Sequence, residues 1–576
     1  MARKDPARGL KWFQDARFGM FIHWGIYSLP GGVWKGRKHP RMSEWIMYSA
    51  RIPFSEYCLL APRFNPVAFN AREWVRTARD AGMKYIVITA KHHDGFAMFN
   101  TSTSPYNIVD ATKFGRDPLR ELATECRKAG IRLCFYYSQT LDWQHPDAAG
   151  NDWDYPGRRK DFERYLREKA RPQVTELLSR YGPIGLIWFD MGGLTPAQSR
   201  EMRRLIRRHQ PHCLINSRIG AGGGDYGSLS DNRIPAGRAR GRWETPVTIN
   251  DNWGYSSFDR NWKSAGYLLN LLADLAGKGV NFLLNVGPTS RGVIPAPSVT
   301  RLKRLGAWLR RNGEAIYGAS ANPYPADFTW GTATSKPGKL FLLVKQWPRN
   351  GKLEIAGLRS GIHRARLPGT GNRNIPFREG RDAASGLPIL TLVLPSRPPD
   401  RYVSVVALDL AERNVRVAGI PLQQPGGTVI LPASAAKVRA GRSHGMKVDP
   451  GTGVVSGWKR AGGSLFWDFL ALKPGRFAVR LLVSTVNWGE KWTGGHRVRI
   501  ELDQDALETS IRDDMPNRPG LSPNHPEATT RAGVLQVRKP GRHRLIVTAL
   551  GINGRSLSGL AVAEVRLVPQ TGPNGR

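Results

Sequence analysis

Phe18-Gly-Met-Phe-Ile22 is a short run without a charge, and it leads directly into His23-Trp24-Gly25. The same grammar recurs down the first half of the chain. Tyr85-Ile-Val-Ile-Thr-Ala-Lys91 ends in His92-His93-Asp94-Gly95, and Leu133-Cys-Phe135 ends in Tyr136 and Tyr137, with Trp143 beyond. Leu186-Ile-Trp-Phe189 ends in Asp190-Met-Gly192, Cys213-Leu-Ile215 in Asn216 and Arg218, and Phe282-Leu-Leu284 in Asn285. Trp243-Glu244-Thr245 opens a further segment. Amphipathic stretches at 71–81, 117–129, 161–180 and 195–209 lie between these runs. Strands interleaved with helices predict parallel βαβ units. About 300 residues of this pattern predict an irregular (β/α)8 TIM-like barrel, because no Gly-rich dinucleotide fingerprint follows the first strand.

The barrel reading covers residues 1–318 of the 576. At roughly 150 residues per domain the whole length predicts three to four domains. Beyond Gly318, alternating runs broken by Pro and Gly predict a β-sandwich over 319–410, then a linker or edge strands over 411–437. A second, accessory β-sandwich is predicted over 438–576, so the fold class is a barrel followed by two sandwich-like domains.

Lys and Arg number 86 against 46 Asp and Glu, a net charge of +40. That excess would suit a polyanion binder. Yet it divides into +21 up to Gly318 and +19 after it, with no basic tail or stripe. Arg203, Arg204, Arg207 and Arg208 read as the solvated face of a helix. Nucleic acid is therefore not the expected partner.

Cys58, Cys126, Cys134 and Cys213 form no CxxC pair, which predicts free thiols. The start of the chain, 1–10, is polar and basic, with no secretory core and no membrane-spanning run following it. The expected location is cytoplasmic as given, or periplasmic or secreted for a trimmed form.

In a barrel of this kind, chemistry sits at the C-terminal ends of the strands. Runs that end in His, Tyr, Asp, Arg, Glu or Asn would place all these groups on one rim. Nearby tryptophans would supply flat faces for a sugar ring. Adjacent His92 and His93 diverge at a strand end and no HExxH motif exists, so no metal is expected. Neutral imidazoles donating to substrate hydroxyls are the simpler role. A GxSxG elbow and a P-loop are both missing, which removes serine hydrolysis and phosphoryl transfer. Paired carboxylates remain, and they are the chemistry of glycoside hydrolysis.

Five ordered motifs carry a resemblance: Phe18-Gly-Met-Phe-Ile-His-Trp-Gly25, Lys91-His-His-Asp-Gly-Phe96, Trp188-Phe-Asp-Met-Gly192, Trp243-Glu-Thr-Pro246 and Asn281-Phe-Leu-Leu-Asn-Val-Gly-Pro288. Together they resemble the α-L-fucosidases of glycoside hydrolase family 29. The resemblance runs from about residue 10 to Gly318, and more loosely through the next domain. It implies retaining, exo-acting hydrolysis of terminal α-linked fucose from an oligosaccharide or polysaccharide, with neither cofactor nor metal. It also implies Asp190 as nucleophile, with His23, His92, His93, Tyr137 and Glu44 on the sugar and Arg218 near the nucleophile. Trp24 and Trp253 are candidate walls, with core packing as the equal alternative.

The acid/base stays open. Relatives place a glutamate within the stretch Gly224-Asp-Tyr-Gly-Ser-Leu-Ser-Asp-Asn-Arg-Ile-Pro235, where this chain has Ser230 followed by Asp231. Asp231 and Glu244 are equal candidates and Asp225 a distant third. In the last third, Trp488 and Trp492 suggest sugar binding, against a purely structural sandwich. Two other functions compete with the fucosidase. One is a barrel glycosidase for a galactose-configured sugar, the other a non-catalytic binder of polyanions or glycans. If the charge has a use, acidic or sulfated fucans are the matching substrates.

Overall fold

The computed structural model describes residues 6–40, 42–516, 522 and 524–570. Residues 1–5 of the polar N-terminal stretch lie outside the described residues. Eight strands form one sheet: β1 (Phe18–Ile22), β2 (Tyr85–Lys91), β3 (Arg132–Tyr137), β4 (Leu186–Phe189), β5 (Leu214–Ile215), β6 (Gly227–Ser228), β7 (Trp243–Thr248) and β8 (Val280–Val286). Their spatial order is β5-β4-β3-β2-β1-β8-β7-β6. Every pairing from β8 through β1 to β5 is parallel. A parallel bridge between Asn216 and Tyr226 joins the two edges, so the sheet closes on itself.

The opening stretch shows why this closure fits. All five residues of β1 and all seven of β2 are buried, as expected for strands covered on both faces. Side-chain alternation sends Phe21, Tyr85, Val87, Cys134, Tyr136, Leu186, Trp188, Leu214 and Leu283 into one cluster with Phe13 and Ala16. Gly19 is required by close approach, since a Cβ there would lie 2.4 Å from the Tyr85 ring.

The covering helices start on the expected caps. Asn70 accepts from the Glu73 N–H before helix Ala71–Asp80, and Asp117 does the same for Pro118–Ala129. Thr195 and Gln198 make a reciprocal capping box before Pro196–His209. The stretch expected as one helix over 161–180 is interrupted by a π-helical turn, Leu166–Ala170. Pro172 supplies the reason, because it has no N–H to continue the α-helical ladder. Arg203 and Arg207 are not simply solvated: both pair with Asp225, whose carboxylate also accepts the Ile215 N–H. That clasp makes Asp225 a structural residue.

After the barrel come two pairs of antiparallel sheets. A five-stranded sheet and the three-stranded sheet of Lys352–Ala356, Pro388–Val393 and Phe377–Arg381 accompany a core that includes Leu340, Leu342, Ile355, Leu392 and Leu408. The second pair has four and five strands, with Trp458, Trp467, Phe477, Leu545 and Val565 in its core. Val429–Pro432 is an edge strand of that four-stranded sheet. The second sandwich therefore takes in part of 411–437. Trp492 is half-buried against the same core, while Trp488 is 57% exposed. All four cysteines are free.

By compactness the chain divides into two units. The first is Met1–Ser228, Pro246–Leu268 and Asn281–Arg310. The second is Leu229–Thr245, Leu269–Val280 and Arg311–Arg576, so the segment carrying Asp231 and Glu244 groups with the C-terminal sheets.

Candidate active site

Asp190 extends the inward parity of β4 by one step beyond Leu186 and Trp188. Its carboxylate is almost completely enclosed, with 13% of the side chain exposed. Arg218 Nη1 lies 2.7 Å from Oδ1, which also accepts the Met191 N–H at 2.8 Å. Tyr136 Oη donates to Oδ2 at 2.9 Å, and His93 Nε2 is 3.6 Å from the same oxygen. Burial alone would favour the neutral acid. The Arg218 charge and the Tyr136 hydrogen bond overcome it and hold Asp190 below the ordinary aspartate value of 3.8. The anion is fixed from behind as well: Gln139 accepts the Asp190 N–H and donates to the Gly192 and Arg218 carbonyls. Met191 adopts φ 63°, a left-handed conformation that costs a non-glycine residue about 1–2 kcal/mol. Its N–H to Asp190 is what that conformation provides.

Three imidazoles stand around this carboxylate, all kept neutral by burial. Burial lowers His23 to about 4 and His93 to about 3, and pushes His92 well below 6.5. Hydrogen-bond logic fixes two tautomers. Ser138 Oγ donates to the Leu141 carbonyl, so it accepts from His93 Nδ1 at 2.7 Å. Asn285 Nδ2 donates to the Trp253 carbonyl, so its Oδ1 accepts from His23 Nδ1 at 2.7 Å. Both rings therefore carry their proton on Nδ1 and present Nε2 as a lone pair. The second nitrogen of each ring is then an acceptor, where the sequence predicts a donor. His93 Nε2 and His92 Nδ1 are buried without a hydrogen-bond partner among the described residues.

The remaining expected residues separate. Trp253 lies beside His23, ring centroids 5.2 Å apart. Glu44 is buried and accepts the Gly254 N–H at 2.9 Å, steadying the residue after Trp253. Trp24 has 0% exposure, stacks on Phe69 and donates to the Thr289 carbonyl, so it belongs to the core. Tyr137 is not brought to Asp190. It occupies the opposite face of β3, where its hydroxyl donates to Gln173. Tyr136 takes the place beside the carboxylate, stacked on Trp188 at 5.6 Å. Period-two counting from the buried Cys134 would have selected it. Arg218 is braced over the Trp188 ring at 4.6 Å.

In the second unit, Ser230-Asp231-Asn232-Arg233 forms a β-turn closed by the Arg233 N–H on the Ser230 carbonyl. Asn232 has φ 56°, the left-handed position that asparagine tolerates in a turn. Asp231 is thereby carried at the turn tip, partly exposed. Glu244 is in β7 with 0% exposure, and its carbonyl accepts the Leu229 N–H. Among the described residues no three His, Cys, Asp or Glu side chains group as metal ligands.

The family model for α-L-fucosidase matches residues 2–314. Human plasma α-L-fucosidase is 31% identical over 378 residues, covering 61% of this chain and 78% of that protein. The crystal structure of α-L-fucosidase from Vibrio sp. strain EJY3 matches with TM-score 0.86 at 31% identity, covering 98% of both chains. An aspartate-to-alanine variant of the Lactobacillus casei enzyme, solved with 4-nitrophenyl α-L-fucopyranoside, is 40% identical with TM-score 0.51, over 53% of this chain and 99% of that one. A closed, largely parallel barrel, a buried charge-stabilised aspartate at its rim and a family match over the whole barrel agree: this chain belongs to the α-L-fucosidase family of glycoside hydrolases.

Proposed function

We propose that this chain is a retaining, exo-acting α-L-fucosidase in which Asp190 is the nucleophile and Asp231 the acid/base. The observation that carries the reading is the ionised, triply hydrogen-bonded Asp190 carboxylate. It attacks the anomeric carbon as the leaving oxygen takes the Asp231 proton. Asp231 then deprotonates the water that releases fucose and frees Asp190. The lone pairs on His23 and His93 accept from sugar hydroxyls, and Trp253 stands beside them. Asp231 is preferred to Glu244 because an acid/base must touch both the leaving oxygen and water, and Glu244 has no exposed surface.

The substrate is a fucosylated oligosaccharide or polysaccharide, and we assign an acidic or sulfated one on charge. Beyond the net +40, Arg200, Arg204 and Arg208 line a surface groove of about 530 Å³ with His209 and a single carboxylate, Glu201, which pairs with Arg171. Arg200, Arg204 and Arg208 lie on one helix face, about 6 Å apart along its axis.

Asp190→Ala tests the nucleophile. Turnover of an aryl α-L-fucoside is expected to collapse and partly return with azide, giving the β-fucosyl azide of inverted configuration. Loss without azide rescue, or an active Asp190→Ala enzyme, refutes the assignment.

A further inference from the structure

The segment between β6 and β7 is tied to the C-terminal sandwich by a series of hydrogen bonds. Arg233, 3% exposed, sends Nη1 to the Thr485 carbonyl at 2.9 Å. The Ile234 N–H donates to Ser522 Oγ at 2.9 Å, and Asn524 Nδ2 reaches the Asp231 carbonyl at 3.5 Å. The Ala236 and Arg240 N–H groups donate to the Thr452 and Pro450 carbonyls at 2.8 and 2.7 Å.

Thr485 directly follows strand Gly475–Ser484, whose Ser484 lies opposite Glu527 of strand Glu527–Val537. Pro450 and Thr452 belong to a turn in which Asp449 accepts from the Gly451 and Thr452 N–H groups. Fit is tight as well: a Cβ on Gly451 would meet the Trp243 ring at 2.8 Å, and one on Gly453 would meet Gly237 at 3.0 Å. The segment is also braced on itself, with Thr245 Oγ1 donating to the Arg233 carbonyl at 2.7 Å. Both acid/base candidates lie on this braced piece.

We propose that the C-terminal sandwich positions the catalytic proton donor, with Arg233 and Ser522 as the positioning residues. The inference rests on the reading above that the acid/base lies in residues 229–245. A buried arginine and a hydroxyl acceptor hold the chain at the C-terminal end of the Asp231 turn. A sandwich that served only to bind sugar would need none of these contacts.

Positioning of a proton donor has a signature that general loosening lacks. A poor leaving group needs the acid, whereas 2,4-dinitrophenolate does not. In Ser522→Ala, kcat/KM for phenyl α-L-fucoside is expected to fall about 10-fold or more, as small misplacements of catalytic groups do. The value for 2,4-dinitrophenyl α-L-fucoside should stay within about twofold. Arg233→Met should act the same way more strongly, and Ser522→Thr should recover the rate by keeping the hydroxyl. If Arg233→Met fails to fold, the Ser522 pair still decides. Equal loss on both substrates, or no loss on either, overturns the proposal. Asp231→Asn measured alongside separates the two readings. If it shows the leaving-group dependence and the sandwich variants do not, positioning alone fails. If the sandwich variants show it and Asp231→Asn does not, the donor is another group on the same segment.

Discussion

Tyr136 offers a test that turns on a single oxygen atom. Its hydroxyl is one of three donors within 2.9 Å of Asp190, and burial keeps it protonated, with its own pKa well above 10.0. Tyr136→Phe removes that donor and changes little else. A hydrogen bond to a charged group contributes about 1.5–3 kcal/mol, and a pKa unit corresponds to about 1.4 kcal/mol. Arg218 and Met191 remain, so the lower end applies and Asp190 should rise by about one unit. Asp190 acts as the anion. Its depressed pKa preserves activity as pH falls, so raising it moves the acidic limb of kcat/KM to higher pH. The assay is the pH dependence of kcat/KM for an aryl α-L-fucoside in wild type and variant. Tyr137→Phe is the control: its hydroxyl serves buried Gln173, so the limb should not move, while stability falls by about 1–3 kcal/mol. An unmoved limb in Tyr136→Phe, or a moved one in Tyr137→Phe, refutes the reasoning.

Two further predictions concern charge. Activity on a sulfated fucan should fall steeply between low and physiological salt, while activity on a neutral aryl fucoside stays nearly constant; equal responses would remove the acidic-substrate reading. Asp94 is pushed up by burial to about 7, against the Tyr57 and Phe96 hydrogen bonds that favour its anion. A raised acid stabilises the fold fully below its unfolded pKa near about 3.9, and that contribution is lost as pH rises towards 7. Asp94→Asn should therefore gain in Tm relative to wild type between pH 4 and 8, and a constant difference across that range would contradict it.

Most of the barrel was legible because β1 to β5 and β8 carry compact apolar runs that suit burial on both faces, whereas the half-buried Gly227–Ser228 of β6 has no such run and left no signal. Asp190 was legible for a related reason, as a carboxylate placed directly after such a run. Tyr137 was not, because adjacent tyrosines differ only in which face of the strand they occupy. Parity resolves them once Cys134 is known to point inward. Trp24 looked like a wall only because it follows His23, yet its next neighbours in space are Phe69 and Trp74. The hold on Arg233 was invisible for a different reason. Its partner Thr485 is 252 residues away, and no local pattern encodes a contact of that range. Likewise the proton positions on His23 and His93 depend on what Asn285 and Ser138 already bond, which only the folded network specifies.

The central claim is that Asp190 forms a covalent bond to fucose. Incubation with 2-deoxy-2-fluoro-α-L-fucosyl fluoride should accumulate a fluorofucosyl-enzyme, and mass mapping of a proteolytic digest should place the adduct on the peptide containing Asp190. An adduct on another carboxylate would contradict that claim, as would inverted fucose released from substrate with no adduct at all.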